Sequence, residues 1–348
     1  VNPDTLPHRR YLSSQDESSE SDEDDDPSRL VCDLILNLIP SLSRVLVRDL
    51  SPNALRNLQG ELEGVVASDL LAQDISSRQE LATLLLAILS VPSVAELTQL
   101  MHNLRKSSKR KRMVKAILEA LLDLVLAEYC YPLAWTDLVF LLFRTVWKCV
   151  RVMEPYVISL YGDEMSDEEL RIWIRFIRLC IVSAQHHALQ LEDYVHRGER
   201  IKANAGDLRM KFMATTRKLW CMFQAYRVLL IPEITAHLIC LAINRNPMVK
   251  NWGIDMYISL LVREAELADD HFPKLEVATI QALEVLSRTS YWREQALRTL
   301  FDQDLKNAVL RRNNTNLMSQ KTSSRITVFT KDMLSLLSLL SELRDLPS

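Results

Sequence analysis

Glycine is scarce in this sequence, which holds only 6 glycines among 348 residues, whereas about 7 per cent is usual. Nucleotide-binding loops need glycines at fixed spacing, and neither G-x-x-x-x-G-K-[ST] nor G-x-G-x-x-G occurs. The hairpin dipeptides N-G, D-G and G-G are absent as well. The scarcity of glycine therefore argues against a phosphate-binding loop and against a strand-rich fold.

Long apolar runs and paired cysteines are also lacking. The longest apolar stretches, such as residues 138–143, fall far short of the about 20 residues that span a bilayer. The six cysteines are widely spaced without a C-x-x-C pair, which favours structural thiols in a reducing compartment over a metal or redox site. The start, from Val1 onward, is polar and acidic rather than a signal sequence. We expect a soluble piece of a longer cytosolic protein, without a transmembrane helix.

Charge is distributed unevenly, although the formal net charge is only −3. Eight carboxylates fall between Asp16 and Asp26, and such a segment has too little apolar surface to offset the entropy of ordering it. Residues 1–28 are therefore predicted to form a disordered acidic tail. The tail is interpreted as a solvating linker or, alternatively, as a kinase target, because Ser19 and Ser21 each have an acid three residues downstream.

Apolar residues recur at helical spacing through most of the chain, as in 114–125 and 208–223. The S-x-x-E patterns at 93–96 and 166–169 are capping boxes, and the Asn-Pro pair at 246–247 supplies a cap followed by proline at the first helical position. No fixed repeat period and no tetratricopeptide signature is found. The sequence predicts an all-α fold, an irregular armadillo- or HEAT-like helical solenoid of about ten to twelve helices.

Polar gaps divide the predicted helices. Residues 105–112 predict a basic loop, and residues 311–328 predict a flexible polar loop. We therefore expect a solenoid over 29–310, with the basic loop as a candidate point of sub-division, and a final helix over 329–348. Pro155, like two other prolines in helical sequence, predicts the end of one helix or the start of the next.

The strongest candidate for a binding site is a basic run with seven positive charges in eleven residues and no acid. Its cations are Arg105, Lys106, Lys109, Arg110, Lys111, Arg112 and Lys115. Such a run attracts anionic lipid or an acidic partner. The acidic tail of the same chain is one such partner, and phosphorylation of Ser107 or Ser108 would weaken its docking. A solvated loop is the plain alternative. Because no aromatic residues are interleaved, no nucleic acid is expected to bind.

No pattern predicts a catalytic residue, a cofactor or a metal. His186 and His187 are adjacent, whereas metal ligands on one helix face are spaced i, i+3 or i+4. Glu168 and Glu169 flank the start of a predicted helix, where carboxylates favour the positive end of the helix dipole. We expect these side chains to be structural, and the chain to have no cofactor, metal or catalytic site.

Four pieces of sequence between residues 189 and 234 occur in a characteristic order. They are Leu189-Gln190-Leu191-Glu192-Asp193-Tyr194, Gly206-Asp207-Leu208-Arg209, Trp220 and Leu230-Ile231-Pro232-Glu233-Ile234. In order and approximate spacing they resemble the central helical region of the dedicator of cytokinesis (DOCK) family of guanine nucleotide exchange factors. The likeness extends from about Trp135 to Ser348 and is closest to the Rac-directed subfamily, whereas residues 1–130 show no match.

The resemblance implies an armadillo-like segment between a lipid-binding C2-type domain and a C-terminal exchange domain, neither of which is in this sequence. It implies a Rac- or Cdc42-family GTPase as the partner of that exchange domain, an ELMO-type scaffold, and a cytoplasmic location with recruitment to the plasma membrane. None of the family's catalytic residues maps onto this chain. The alternative is an unrelated α-solenoid adaptor that binds acidic partners or anionic membrane through residues 105–115.

Overall fold

The computed structural model describes residues 79–344, apart from 81, 105, 127–135, 163, 191, 193–198, 200–205, 289–291 and 315–317. This part of the chain is almost entirely helical and contains no strand, so the predicted all-α class is confirmed. The helices are α1 (Ala82–Ser90), α2 (Val94–Asn103), α3 (Ser107–Leu126), α4 (Thr136–Ser159), α5 (Asp167–Gln185), α6 (Leu208–Met222), α7 (Ile231–Ala242), α8 (Pro247–Leu267), α9 (Pro273–Ser287), α10 (Glu294–Thr299), α11 (Leu305–Asn314) and α12 (Gln320–Arg344).

Alternate helices stack side by side in two layers. Helices α3, α5, α7 and α9 contact one another in that order, and α2, α4, α6 and α8 do the same in the second layer. The most extensive contacts between consecutive helices join α5 to α6 and α7 to α8. Helix α12 packs on α9, α10 and α11 at the C-terminal end of the stack. This two-layer stacking is the predicted helical solenoid.

One hydrophobic core runs between the layers. Trp173 of α5 is fully buried and stacks on Phe223, with ring centroids 5.3 Å apart and planes 5° from parallel. Gly253 allows α8 to approach α7 closely, because a Cβ atom at this position would lie 2.6 Å from the backbone nitrogen of Ala242. Such close packing makes the positions of the helices interdependent.

The helix starts follow the predicted capping signals. The backbone N–H of Ser93 donates to Glu96 Oε2 at 2.6 Å, and the N–H of Glu96 donates to Ser93 Oγ at 3.2 Å. Asn246 Oδ1 accepts the N–H groups of Met248 and Val249 at 3.0 and 3.3 Å. These side chains satisfy backbone donors that the first turn of a helix leaves unpaired.

Both predicted loops are wrong, because helices occupy most of them. The basic loop 105–112 is helical from Ser107 onward, at the start of α3. The polar loop 311–328 is divided between α11, which ends at Asn314, and α12, a single helix of 25 residues that begins at Gln320.

Polar side chains on helix surfaces explain these two errors. The cations at the start of α3 precede Met113 and Val114, which are fully buried and fix this helix against the core. In α12 the hydroxyl of Ser319 accepts the N–H of Thr322 at 2.9 Å and caps the helix. Thr322 itself is buried, so one face of this polar segment belongs to the core.

Pro155 does not mark a helix boundary. It lies inside α4, which continues to Ser159. Proline removes one amide donor near the end of the helix, while Met153 and Val157 on either side of it are buried. Packing against the core therefore outweighs the local break.

The four described cysteines are free thiols in different surroundings. Cys149 and Cys180 are buried, Cys240 is half-buried and Cys221 is exposed. Burial raises the pKa of Cys149 to about 12, which makes that thiol unreactive at neutral pH.

Among the described helices, none is long and apolar enough by itself to cross a bilayer. Helices α1 and α2, which are bent by 86° relative to each other, satisfy the length and composition criteria for a membrane span only when taken together.

Candidate functional site

The basic run forms the entry and the first turns of α3. Arg105 lies outside the described residues, and the other six cations differ in their surroundings. No acidic residue occupies the first turn of α3, whereas Lys106 and Lys109 lie at this positive end of the helix dipole, which is unfavourable. The structure divides the six into an anchored pair and an exposed group.

Arg110 and Lys111 are the anchored pair. Arg110 donates from Nη2 to the carbonyl of Leu104 at 2.8 Å, and its guanidinium lies 5.5 Å from the ring centroid of Tyr156, within cation–π range. Lys111 Nζ donates to Glu169 Oε1 at 2.7 Å. These contacts attach the start of α3 to α4 and α5.

Glu169 joins this ion pair to a helix cap. Its Oε2 accepts the backbone N–H and the hydroxyl of Ser166 at 2.9 and 2.8 Å, completing the predicted capping box of α5. The hydrogen bond from Lys111 is the main cause that lowers the pKa of Glu169 to about 2, and the same bond raises the pKa of Lys111. The charge of Lys111 is therefore neutralised within the solenoid.

The remaining cations form what we call the exposed basic face: Lys106, Lys109, Arg112 and Lys115. The first three are exposed and Lys115 is half-exposed. Their spacing of three residues places successive members on neighbouring positions of the helix surface. Among the described residues no carboxylate lies within ion-pair distance of these four side chains. The contact with anionic lipid or an acidic partner stays a prediction, now confined to these residues.

A second charged cluster, which sequence reasoning missed, is centred on Arg209 of α6. The Arg209 side chain is fully buried. Its Nη1 and Nη2 donate to Glu192 Oε2 and Oε1 at 2.6 and 2.8 Å, while Nη2 and Nε donate to Asp207 at 2.8 and 3.1 Å. Asn246, the cap of α8, also donates to Glu192 Oε1 at 3.3 Å. The cluster thus connects α6, the start of α8 and the segment at Glu192.

Ion pairing keeps Arg209 protonated and Glu192 ionised in this cluster. Burial by itself lowers the pKa of Arg209, but the hydrogen bonds to Glu192 and Asp207 outweigh burial, so the pKa is raised. The hydrogen bond from Arg209 lowers the pKa of Glu192 to about 2. A buried guanidinium is stable only with such partners. All three residues occur in the pieces that carry the family resemblance, which was the signal available in the sequence.

The adjacent histidines are packed side chains. His186 is half-buried, with its ring 4.8 Å from that of Phe143 and 4.4 Å from that of His187. Burial lowers the pKa of His186 to about 3. In the part of the chain that the structure describes, no group of three or more His, Cys, Asp and Glu side chains is placed to hold a metal ion.

The acidic tail over residues 1–28, with Ser19 and Ser21, lies outside the described residues. Phosphorylation of these serines therefore stays a prediction.

Comparison with known families identifies the solenoid. Residues 33–303 match the family model described as the dedicator of cytokinesis (DOCK) TPR region, which is well over half of the chain. The chain belongs to the DOCK family. Because the DOCK region begins at residue 33, the expectation that residues 1–130 lack a match is wrong. No curated protein matches the chain.

The DOCK match also locates both charged clusters. The basic run and the Arg209 cluster lie inside the matched region, whereas the carboxylates between Asp16 and Asp26 lie outside it. Membership of the DOCK family removes the alternative of an unrelated solenoid adaptor.

Proposed function

We propose that this chain is the helical scaffold segment of a DOCK-type guanine nucleotide exchange factor and performs no catalytic step itself. The observation that carries the proposal is the match of residues 33–303 to the TPR region of that family. The two-layer solenoid with one continuous core supports it, because a closely packed stack keeps a fixed length. The Arg209 cluster, whose guanidinium is buried, adds a polar connection between neighbouring helices.

In the parent protein this segment would hold a lipid-binding C2-type domain and the exchange domain at a fixed separation. We propose that the exchange domain acts on a GTPase of the Rac/Cdc42 family, with Rac favoured, and that an ELMO-type scaffold assists it. The protein would be cytoplasmic and recruited to the plasma membrane, in signalling to the cytoskeleton during cell migration. The four pieces of sequence between residues 189 and 234 support this assignment.

Nucleotide release from purified Rac and Cdc42 tests the division of labour. The chain alone and the chain joined to its downstream region are each added to GTPase loaded with a fluorescent nucleotide. We expect release above the spontaneous rate only with the joined protein, and faster release from Rac than from Cdc42. Accelerated release by the chain alone would refute the scaffold role, and preference for Cdc42 would refute the Rac assignment alone.

A further inference from the structure

The exposed basic face of α3 does not take part in the packing of the solenoid. Arg110 and Lys111 attach α3 to its neighbours, whereas Lys106, Lys109 and Arg112 extend into solvent. No described carboxylate offsets them, and the charge of Lys106 and Lys109 opposes the dipole of the helix they begin. Nothing in the described fold therefore requires positive residues at these positions, and an anion bound here would be stabilising.

A matching anionic segment is present in the same chain. The segment from Asp16 to Asp26 contains eight carboxylates and no cation. It lies about 80 residues before Lys106 and outside the region that the family model covers. Because the segment is covalently attached, its contact with α3 has the advantage of high effective concentration, which lets several weak ion pairs act together.

We propose that the acidic segment Asp16–Asp26 binds the exposed basic face of α3 within the same chain. Its carboxylates pair with the ammonium and guanidinium groups of Lys106, Lys109, Arg112 and Lys115. The segment then competes with any other anion for this surface, an anionic membrane included. The inference does not depend on the identity of the GTPase, and it stands or falls separately from the scaffold proposal.

Phosphorylation would act on this contact with opposite signs at its two sides. A phosphate adds about −1.5 to −2 charge at neutral pH. On Ser19 or Ser21 it would increase the charge of the acidic segment and strengthen the contact. On Ser107 or Ser108, which are exposed on the first turn of α3, it would offset part of the positive charge of the basic face and weaken the contact.

Carbodiimide cross-linking of the whole chain, read by mass spectrometry, tests the contact. The reagent joins a carboxylate to a lysine amine in contact with it, with loss of water. We expect links from the acidic segment to Lys106, Lys109 and Lys115 at low salt. The link between Lys111 and Glu169, whose atoms are 2.7 Å apart, serves as the internal reference. Links spread evenly over exposed lysines elsewhere in the chain would overturn the proposal.

Charge reversal on α3 provides the matched variant. With K109E and R112E combined, links from the acidic segment to Lys106 and Lys115 should fall at least ten-fold against the internal reference. The control reverses two exposed lysines on other helices, K274E and K331E, and should leave the links unchanged. Equal yields in both variants would contradict the proposal. Mixing ¹⁵N-labelled and unlabelled chains should give links within one isotopic form, and mixed links would contradict the same-chain contact.

Hydrogen exchange and membrane binding test the opposite side of the contact. In a variant with residues 22–26 neutralised to Asn and Gln, the amides of Ser107–Arg112 should exchange several-fold faster than in the unmodified chain. The same variant should bind vesicles of phosphatidylserine and phosphatidylcholine, mixed in equal amounts, at least several-fold more tightly. Unchanged exchange, or vesicle binding equal to that of the unmodified chain, would show that the acidic segment does not cover α3.

Discussion

Positive charge has two opposite environments in this molecule, at Arg209 and at the start of α3. The guanidinium of Arg209 is fully buried and bonded to two carboxylates, whereas Lys109 and Arg112 are exposed without a described carboxylate partner. A buried charge must be paired to be tolerated, so Arg209 is committed to the fold. An exposed charge costs the fold little and is available to a ligand or partner.

Lys111 is intermediate between the buried, paired Arg209 and the exposed cations of α3. Its ammonium is partly exposed yet bonded to Glu169, one helical position away from Arg112. Neighbouring residues of one basic run therefore either hold helices together or remain available to a binding partner, depending on the side of α3 that they occupy.

Of the changes considered, removal of the Arg209 side chain should cause the largest loss of stability. Arg209→Met leaves Glu192 and Asp207, whose side chains are partly exposed, without their common partner, and losing hydrogen bonds to charged groups typically costs about 1.5–3 kcal/mol. Arg209→Lys should also destabilise, because lysine cannot bond both carboxylates through a planar fork. Urea unfolding measures the loss. A cost below about 1 kcal/mol for Arg209→Met, similar to that of an exposed residue, would contradict the structural role.

Acid should act on the Arg209 cluster in a defined pH window. The pKa of Glu192 is lowered from 4.5 to about 2 in the folded chain, so the unfolded chain binds the proton more readily. The contribution of the ionised Glu192 to the stability of the fold is present above pH 4.5 and is lost as the pH falls towards 2. Glu192→Gln should be less stable than the unmodified chain at pH 7, and the difference should shrink in that window. Thermal unfolding at a series of pH values measures this, and a constant difference would contradict the pairing.

The sequence predicted the helical class and the caps better than the helix boundaries. Capping needs only neighbouring residues, as with Ser93 and Glu96, so a short motif suffices. The helical start of α3 and the polar beginning of α12 were missed, because burial of one face decided them. Burial depends on tertiary contacts that a local pattern of charged residues conceals.

The two charged sites also differ in how readily the sequence reveals them. The exposed basic face was visible as a run in the sequence, since its members are neighbours on one helix. The Arg209 cluster was not, because Glu192 lies 17 residues before Arg209 and only the fold brings them together. Sequence composition also could not separate Lys111 from Arg112, since the partner of Lys111 is 58 residues away.

Changes at Lys111 and Glu169 should have intermediate effects. Lys111→Met removes a partly exposed ion pair and should cost about 0.2–1 kcal/mol. Glu169→Ala removes that pair together with the acceptor of the Ser166 N–H in the capping box, and a hydrogen bond typically contributes about 0.5–1.5 kcal/mol more. Chemical denaturation of the two variants measures the order. Equal losses would indicate that the cap contributes nothing beyond the ion pair.

Neutralisation of the exposed basic face should have the smallest effect on stability. In Lys109→Gln with Arg112→Gln, one of the two cations removed, Lys109, lies in the first turn of α3, where an unfavourable charge typically costs about 0.3–1 kcal/mol. The variant should therefore unfold at the same urea concentration as the unmodified chain or at a slightly higher one. At the same time its carbodiimide links to the acidic segment should fall about ten-fold. A clear loss of stability would place these residues with Arg209 as part of the fold, whereas unchanged stability with lost cross-links would separate the two uses of positive charge.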